Sequence, residues 1–144
     1  METYRELRGR QQKEFNAFPL HFAFGDDQIK KKFDELGLDP EKDLDKIIVI
    51  KGTGGFLLKK DGPAFEEMNK RHKKEFDDAI AGDKTGKGFI YQMFLYELTN
   101  YEYGYTGDDT DTLDALSYTH ADIESNPLLK AGLEKAKQDI WNKN

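Results

Sequence analysis

Few side chains in this sequence are suited to catalysis. There is no cysteine, and so no disulfide framework, thiolate zinc site or Cys nucleophile. His21, His72 and His120 stand far apart, with no His-x-x-x-His pair to hold zinc. Ser117 and Ser125 are the only serines, and neither lies in a nucleophile elbow. GTGG at 52–55 would cradle phosphate only between a strand and a helix, and a second strand follows it instead. It reads as a glycine turn. GDKTGKG at 82–88 follows a helix and reads as a loop. GDDTDTLD at 107–114 suggests a calcium loop, but neither Asp108 nor Asp109 as first ligand puts glycine at position six and glutamate at twelve. The 28 acids always offer a carboxylate pair, so such a pair identifies nothing. The expectation is a non-enzymatic protein with no catalytic residue, no metal and no cofactor.

One stretch still asks for a purpose. YELTNYEYGYTGDDTDTLDAL, residues 96–116, packs four tyrosines and six acids without a lysine or arginine. If the chain is extended there, Tyr101, Tyr103 and Tyr105 point to one side, with Glu102 and Gly104 between them. In one reading the rings pin a long loop onto the core and the acids keep it soluble. In the other the stretch is a recognition surface. Tyrosines anchor interfaces at low entropy cost, and carboxylates steer a basic partner. The binding residues would be Tyr101, Glu102, Tyr103, Tyr105, Asp108, Asp109 and Asp111. The partner would be a protein with a basic surface, such as a nuclease, whose phosphate positions the carboxylates would occupy.

The elements that position this stretch can be read from pattern. Thr3 and Glu6 form a capping box for a helix over 3–15. FPLHFAF, 18–24, is an extended or turn segment. Asp26 caps a helix ending at Gly37, with Ile29, Phe33 and Leu36 on its apolar face. Pro40 suits a first helical position after Asp39. KIIVIK and FLLKK form a small β-hairpin over about residues 46–60. Pro63 opens a helix to about 80, with His72 on its apolar side. A helix over 87–101 is apolar on most sides and belongs at the centre. Thr110 and Thr119 cap two short helices, 111–117 and 120–125. Pro127 opens the last helix, whose apolar positions include Leu133, Ile140 and Trp141. The fold class is α+β, mostly helical, in a single globular domain over 1–144.

Charge is uneven. The net of −6 argues against general phosphate binding. Residues 1–88 are balanced, 89–129 carry eight acids and no Lys or Arg, and 130–144 are net basic. Direct nucleic-acid binding is not expected. The alternative is a regulatory protein that binds nucleic acid through Lys30, Lys31 and Lys32 and through KRHKK at 70–74, although acids flank both clusters. METYRELRGRQQKEF lacks the apolar core of a signal peptide, and no apolar run approaches a membrane span.

LGLDPEKDLDKI, GFIYQMFLYELTNYEYGYTGDDTDTLDALSYTHADIE and NPLLKAGLEKA together resemble a small uncharacterised protein family of prophages, plasmids and other mobile elements in gut Firmicutes. The resemblance runs from TYRELRGRQQKEFNAFP to the last helix. It brings no catalytic residues. It implies a bacterial cytoplasm and an accessory gene. The resemblance brings no established activity, but small acidic proteins in that setting include anti-CRISPR and anti-restriction inhibitors, so setting and charge together suggest an inhibitor of a host nucleic-acid enzyme.

Overall fold

Thr3 opens the first helix as its sequence requires. Its hydroxyl accepts from the Glu6 N–H at 3.1 Å, and its own N–H donates to the Glu6 carboxylate at 3.0 Å. The computed structural model describes residues 1–51 and 53–143. The architecture is mostly helical α+β. Its helices are α1 (Tyr4–Ala17), α2 (Asp26–Glu35), α3 (Gly62–Gly82), α4 (Phe89–Asn100), α5 (Tyr103–Thr106), α6 (Thr110–Ala115), α7 (His120–Glu124) and α8 (Pro127–Lys143). Its strands are β1 (His21–Phe22), β2 (Ile47–Ile50) and β3 (Gly55–Leu58). The chain packs as two compact units, Gln12–Lys73 and Met1–Gln11 with the chain from Lys74 on. Helices α1 and α3 contribute residues to both. Among the described residues, no helix is long and apolar enough to cross a membrane.

In the Gln12–Lys73 unit the expected hairpin is present, with Ile47 opposite Leu58 and Ile50 opposite Gly55. Its turn uses Gly54 at φ 72, a left-handed conformation that glycine enters without strain. Gly52, also assigned to that turn, lies outside the described residues. The sequence missed a third strand. His21 and Phe22 of the FPLHFAF segment pair with Phe56 and Gly55, giving the antiparallel order β1-β3-β2. Two-residue strands carry no periodicity, so only the partner reveals them. Phe33 from α2 packs on Phe56 and Ala23 to form this unit's core.

One cap differs from expectation here. Gly25, not Asp26, holds the N-cap of α2, and Asp26 and Asp27 lie in its first turn, where the helix dipole favours anions. The segment 38–46 is a turn containing helical turns, as read: Asp39 Oδ1 accepts from the Glu41 and Lys42 N–H groups, its carbonyl accepts from the Asp43 N–H at 3.0 Å, and a 3-10 turn follows at Leu44–Lys46. The C-terminus of α2 is as read. Gly37 follows the C-cap Leu36, and the Leu38 N–H returns to the Phe33 carbonyl at 2.8 Å.

In the other unit α4 is central, as its all-round apolar sequence demands. Phe89, Ile90, Met93, Phe94 and Leu98 are all buried. Helix α8 lies closely against it at Gly132, where a Cβ would come within 2.5 Å of the Gly86 carbonyl and of Ile90. The loop before α4 is organised by Asp83, whose carboxylate accepts from the N–H groups of Thr85, Gly86, Gly88 and Ile90. Burial raises the Asp83 carboxyl, but those four donors outweigh it and hold it below its ordinary range. Glu97 is also buried in this core. Its Oε2 accepts from the Tyr4 hydroxyl at 2.7 Å and lies 3.8 Å from Arg8, while its Oε1 has no hydrogen-bond partner among the described residues.

Thr119 caps α7 in a full capping box with Asp122, as expected. Thr110 does not cap α6. It is the first helical residue, and Asp109 holds the N-cap without a side-chain bond to the helix amides. Asp108 takes the role assigned to Thr110's hydroxyl, accepting from the Thr110 N–H and Oγ1 at 2.9 and 2.6 Å. Acids and threonines compete for the same orphan amides, and spacing alone does not decide between adjacent ones.

Candidate functional site

The tyrosine-acid stretch is not extended. Helix α4 ends at Asn100, and its C-cap is Tyr101. Glu102 then adopts the left-handed region at φ 59, and its N–H returns to the Thr99 carbonyl. Glycine or asparagine normally fills that position. The same residue starts α5: its carbonyl accepts from the Tyr105 and Thr106 N–H groups, both at 3.0 Å. A one-turn helix replaces the period of two, so the three rings part.

Tyr103 turns inward and is buried. Its ring meets Trp141 of α8 edge-on, with centroids 5.7 Å apart, and the Trp141 Nε1–H donates to its hydroxyl at 3.4 Å. Tyr105 points outward and is 92% exposed, and Tyr101 is 39% exposed. Thus Tyr103 pins the loop, as the structural reading required, while Tyr105 and Tyr101 remain available.

The acids divide in the same way. Asp109 is held in the structure, its Oδ2 2.7 Å from Lys137 Nζ and its Oδ1 3.0 Å from His120 Nε2. Burial raises its carboxyl, and the Lys137 and His120 contacts more than offset that and lower it. The Asp108 carboxyl is lowered by the two Thr110 donors. Asp111 and Glu102 are exposed, and neither has an ion-pair partner among the described residues. The run therefore does have counter-charges, supplied by Lys137 and Arg8 from distant segments.

What remains exposed borders an open groove of about 720 Å³. Thr99, Glu102, Gly104 and Tyr105 line it from α4 and α5, and Ile140 and Trp141 from α8. Glu102 and Tyr105 belong to the predicted site. Sequence reasoning missed Ile140 and Trp141 as site residues and placed both in the core. Trp141 is in fact half exposed at 49%. The one signal was its type: the sole tryptophan, near the end of an apolar stripe.

The basic clusters are partly paired. Lys70 lies 3.1 Å from Glu66, Lys74 2.7 Å from Asp78, Arg71 2.6 Å from Glu14 and Lys32 3.5 Å from Glu35. His72 Nε2 lies 3.5 Å from Glu14 Oε2. Ser117 has φ 61, but it follows the C-cap of α6, where the Tyr118 N–H returns to the Leu113 carbonyl. Its backbone is accounted for by helix termination.

Residues 3–139 match the model of a family of unknown function, DUF7659. The chain belongs to this family. The DUF7659 match takes in α1 through most of α8, including every residue of the site except Ile140 and Trp141. No curated protein and no solved structure matches the chain.

Proposed function

We propose that this chain is a non-enzymatic binding protein that docks on a basic surface of a partner protein through the α4–α5–α8 groove. The observation that carries this reading is that outward-facing Tyr105 and half-exposed Trp141 share a groove with Glu102, an exposed carboxylate that has no ion-pair partner among the described residues. Large aromatic rings at the surface are the side chains most often found as energetic anchors of interfaces. Unpaired acids around them speed capture of a basic partner. Tyr101, Glu102, Tyr105, Asp108 and Asp111 form the docking surface. Tyr103 and Asp109 hold it in shape from beneath.

The partner, on this reading, is an enzyme that handles nucleic acid, whose basic groove the carboxylates enter in place of phosphates. From the resemblance to proteins of mobile elements in gut Firmicutes we further propose a bacterial cytoplasmic setting and an inhibitor of the anti-CRISPR or anti-restriction type. The test is capture from a Firmicutes lysate treated with nuclease, with mass spectrometry of what remains. A nuclease-resistant basic protein, retained by the wild type and lost with Glu102→Lys/Tyr105→Ala/Asp111→Lys, is the expected result. Equal retention by both refutes the site. Loss of all bound protein after nuclease treatment would instead favour nucleic-acid binding through Lys30, Lys31 and Lys32.

A further inference from the structure

We infer that the groove takes an arginine side chain of the partner, held over the aromatic faces and against Glu102. This inference rests on the docking reading above and specifies its chemistry. The groove's polar atoms are largely committed elsewhere. The Trp141 Nε1–H is committed to the Tyr103 hydroxyl, so Trp141 presents only its ring face and edge. The Thr99 hydroxyl donates to the Leu95 carbonyl at 2.8 Å, so toward the groove it is an acceptor. Glu102 is a carboxylate with no ion-pair partner among the described residues. Apart from the Tyr105 hydroxyl, the side chains lining the groove accept hydrogen bonds and do not donate them.

A cleft of acceptors and π faces is complementary to a group with donors and no acceptor. Arginine has five N–H donors in a plane that stacks on aromatic rings, whereas lysine offers a compact ammonium. Two cations of α8 are engaged elsewhere. Lys137 is engaged by Asp109 and lies 5.4 Å from the Tyr103 ring centroid. Lys135 pairs with Asp139 at 3.1 Å. Gly104 adds no side chain to the groove lining.

The chain carries its own reporter. Trp141 is the sole tryptophan, so intrinsic fluorescence reads the groove directly. The experiment titrates the full chain at constant ionic strength with N-acetyl-arginine amide, its neutral isostere N-acetyl-citrulline amide, and AMP. The expected result is a saturable Trp141 response with the arginine amide about five- to tenfold tighter than with citrulline. Glu102→Gln should reduce that preference to near parity with an unchanged far-UV spectrum. An equal response to both amides overturns the inference, as does a stronger response to AMP. Partner capture separates the two claims. If arginine is not preferred but Glu102→Lys/Tyr105→Ala/Asp111→Lys still loses the partner, the cationic occupant is refuted and the docking surface stands. If arginine is preferred but capture ignores those changes, the cation site is supported and the docking reading fails.

Discussion

Lys137 Nζ lies 2.7 Å from Asp109 Oδ2, joining α8 to the acidic loop. This pair shows that one carboxylate of the acidic run works for the fold. Asp109→Ala should therefore destabilise the protein by about 1–3 kcal/mol, because it leaves a partly buried ammonium without its acceptor. Thermal melts of Asp109→Ala and Asp111→Ala make the comparison, with Asp111→Ala near neutral. Equal melting temperatures for the two variants would mean that the ion pair contributes nothing.

Glu102 is expected to trade stability for function. A glutamate held at φ 59 costs roughly 1 kcal/mol relative to a residue at ease there. Glu102→Gly should thus melt at an equal or higher temperature while losing affinity for the partner. A variant that melts lower and binds as well as the wild type would reverse both halves of this argument.

Tyr4 and Glu97 should behave as a coupled pair. Tyr4→Phe removes the 2.7 Å donor to a buried carboxylate whose other oxygen has no partner among the described residues, at a cost of about 1–3 kcal/mol. Tyr4→Phe/Glu97→Gln should cost less than the two single changes summed, and a double-mutant cycle in urea reads the difference. The pair also predicts an alkaline limb. Burial, with Glu97 beside it, raises the Tyr4 phenol well above its usual range. Its contribution is complete below about pH 10, the unfolded value, and falls as pH rises toward the folded one. Tyr4→Phe should flatten that limb of the stability profile.

Acid should act in the opposite sense. The carboxyls of Asp83 and Asp109 are lowered, and that of Glu14 is lowered to about 2, chiefly by Arg71. Each contributes fully above about pH 4, where the unfolded groups ionise, and is lost as pH falls through its folded value. Melting temperature should hold through neutral pH and decline below about pH 4. Asp83→Asn should shrink the decline. A profile that is flat between pH 5 and 2 would contradict this.

The elements with strong local signals were legible in the sequence: the Thr3–Glu6 box, the all-apolar α4, the β-branched KIIVIK, and Thr119 with Asp122. Those set by distant partners were not. His21 and Phe22 are a strand only because Phe56 and Gly55 lie beside them. The tyrosines alternate in sequence as an extended segment would, yet burying Tyr103 against Trp141 winds the chain into a helical turn. The acidic half of the site was visible as composition. Its aromatic wall was hidden because Trp141 follows Ile140 in a helix whose apolar spacing reads as core. Spacing along one helix does not tell where the opposing surface ends.

The most direct measurement is the affinity of the captured partner for the wild type and for Glu102→Lys/Tyr105→Ala/Asp111→Lys, by titration calorimetry at two salt concentrations. The account predicts a loss of about 100-fold or more in the variant, with unchanged melting, and weaker wild-type binding at higher salt. Equal affinities for the two proteins would contradict it and remove the α4–α5–α8 groove as the site of recognition.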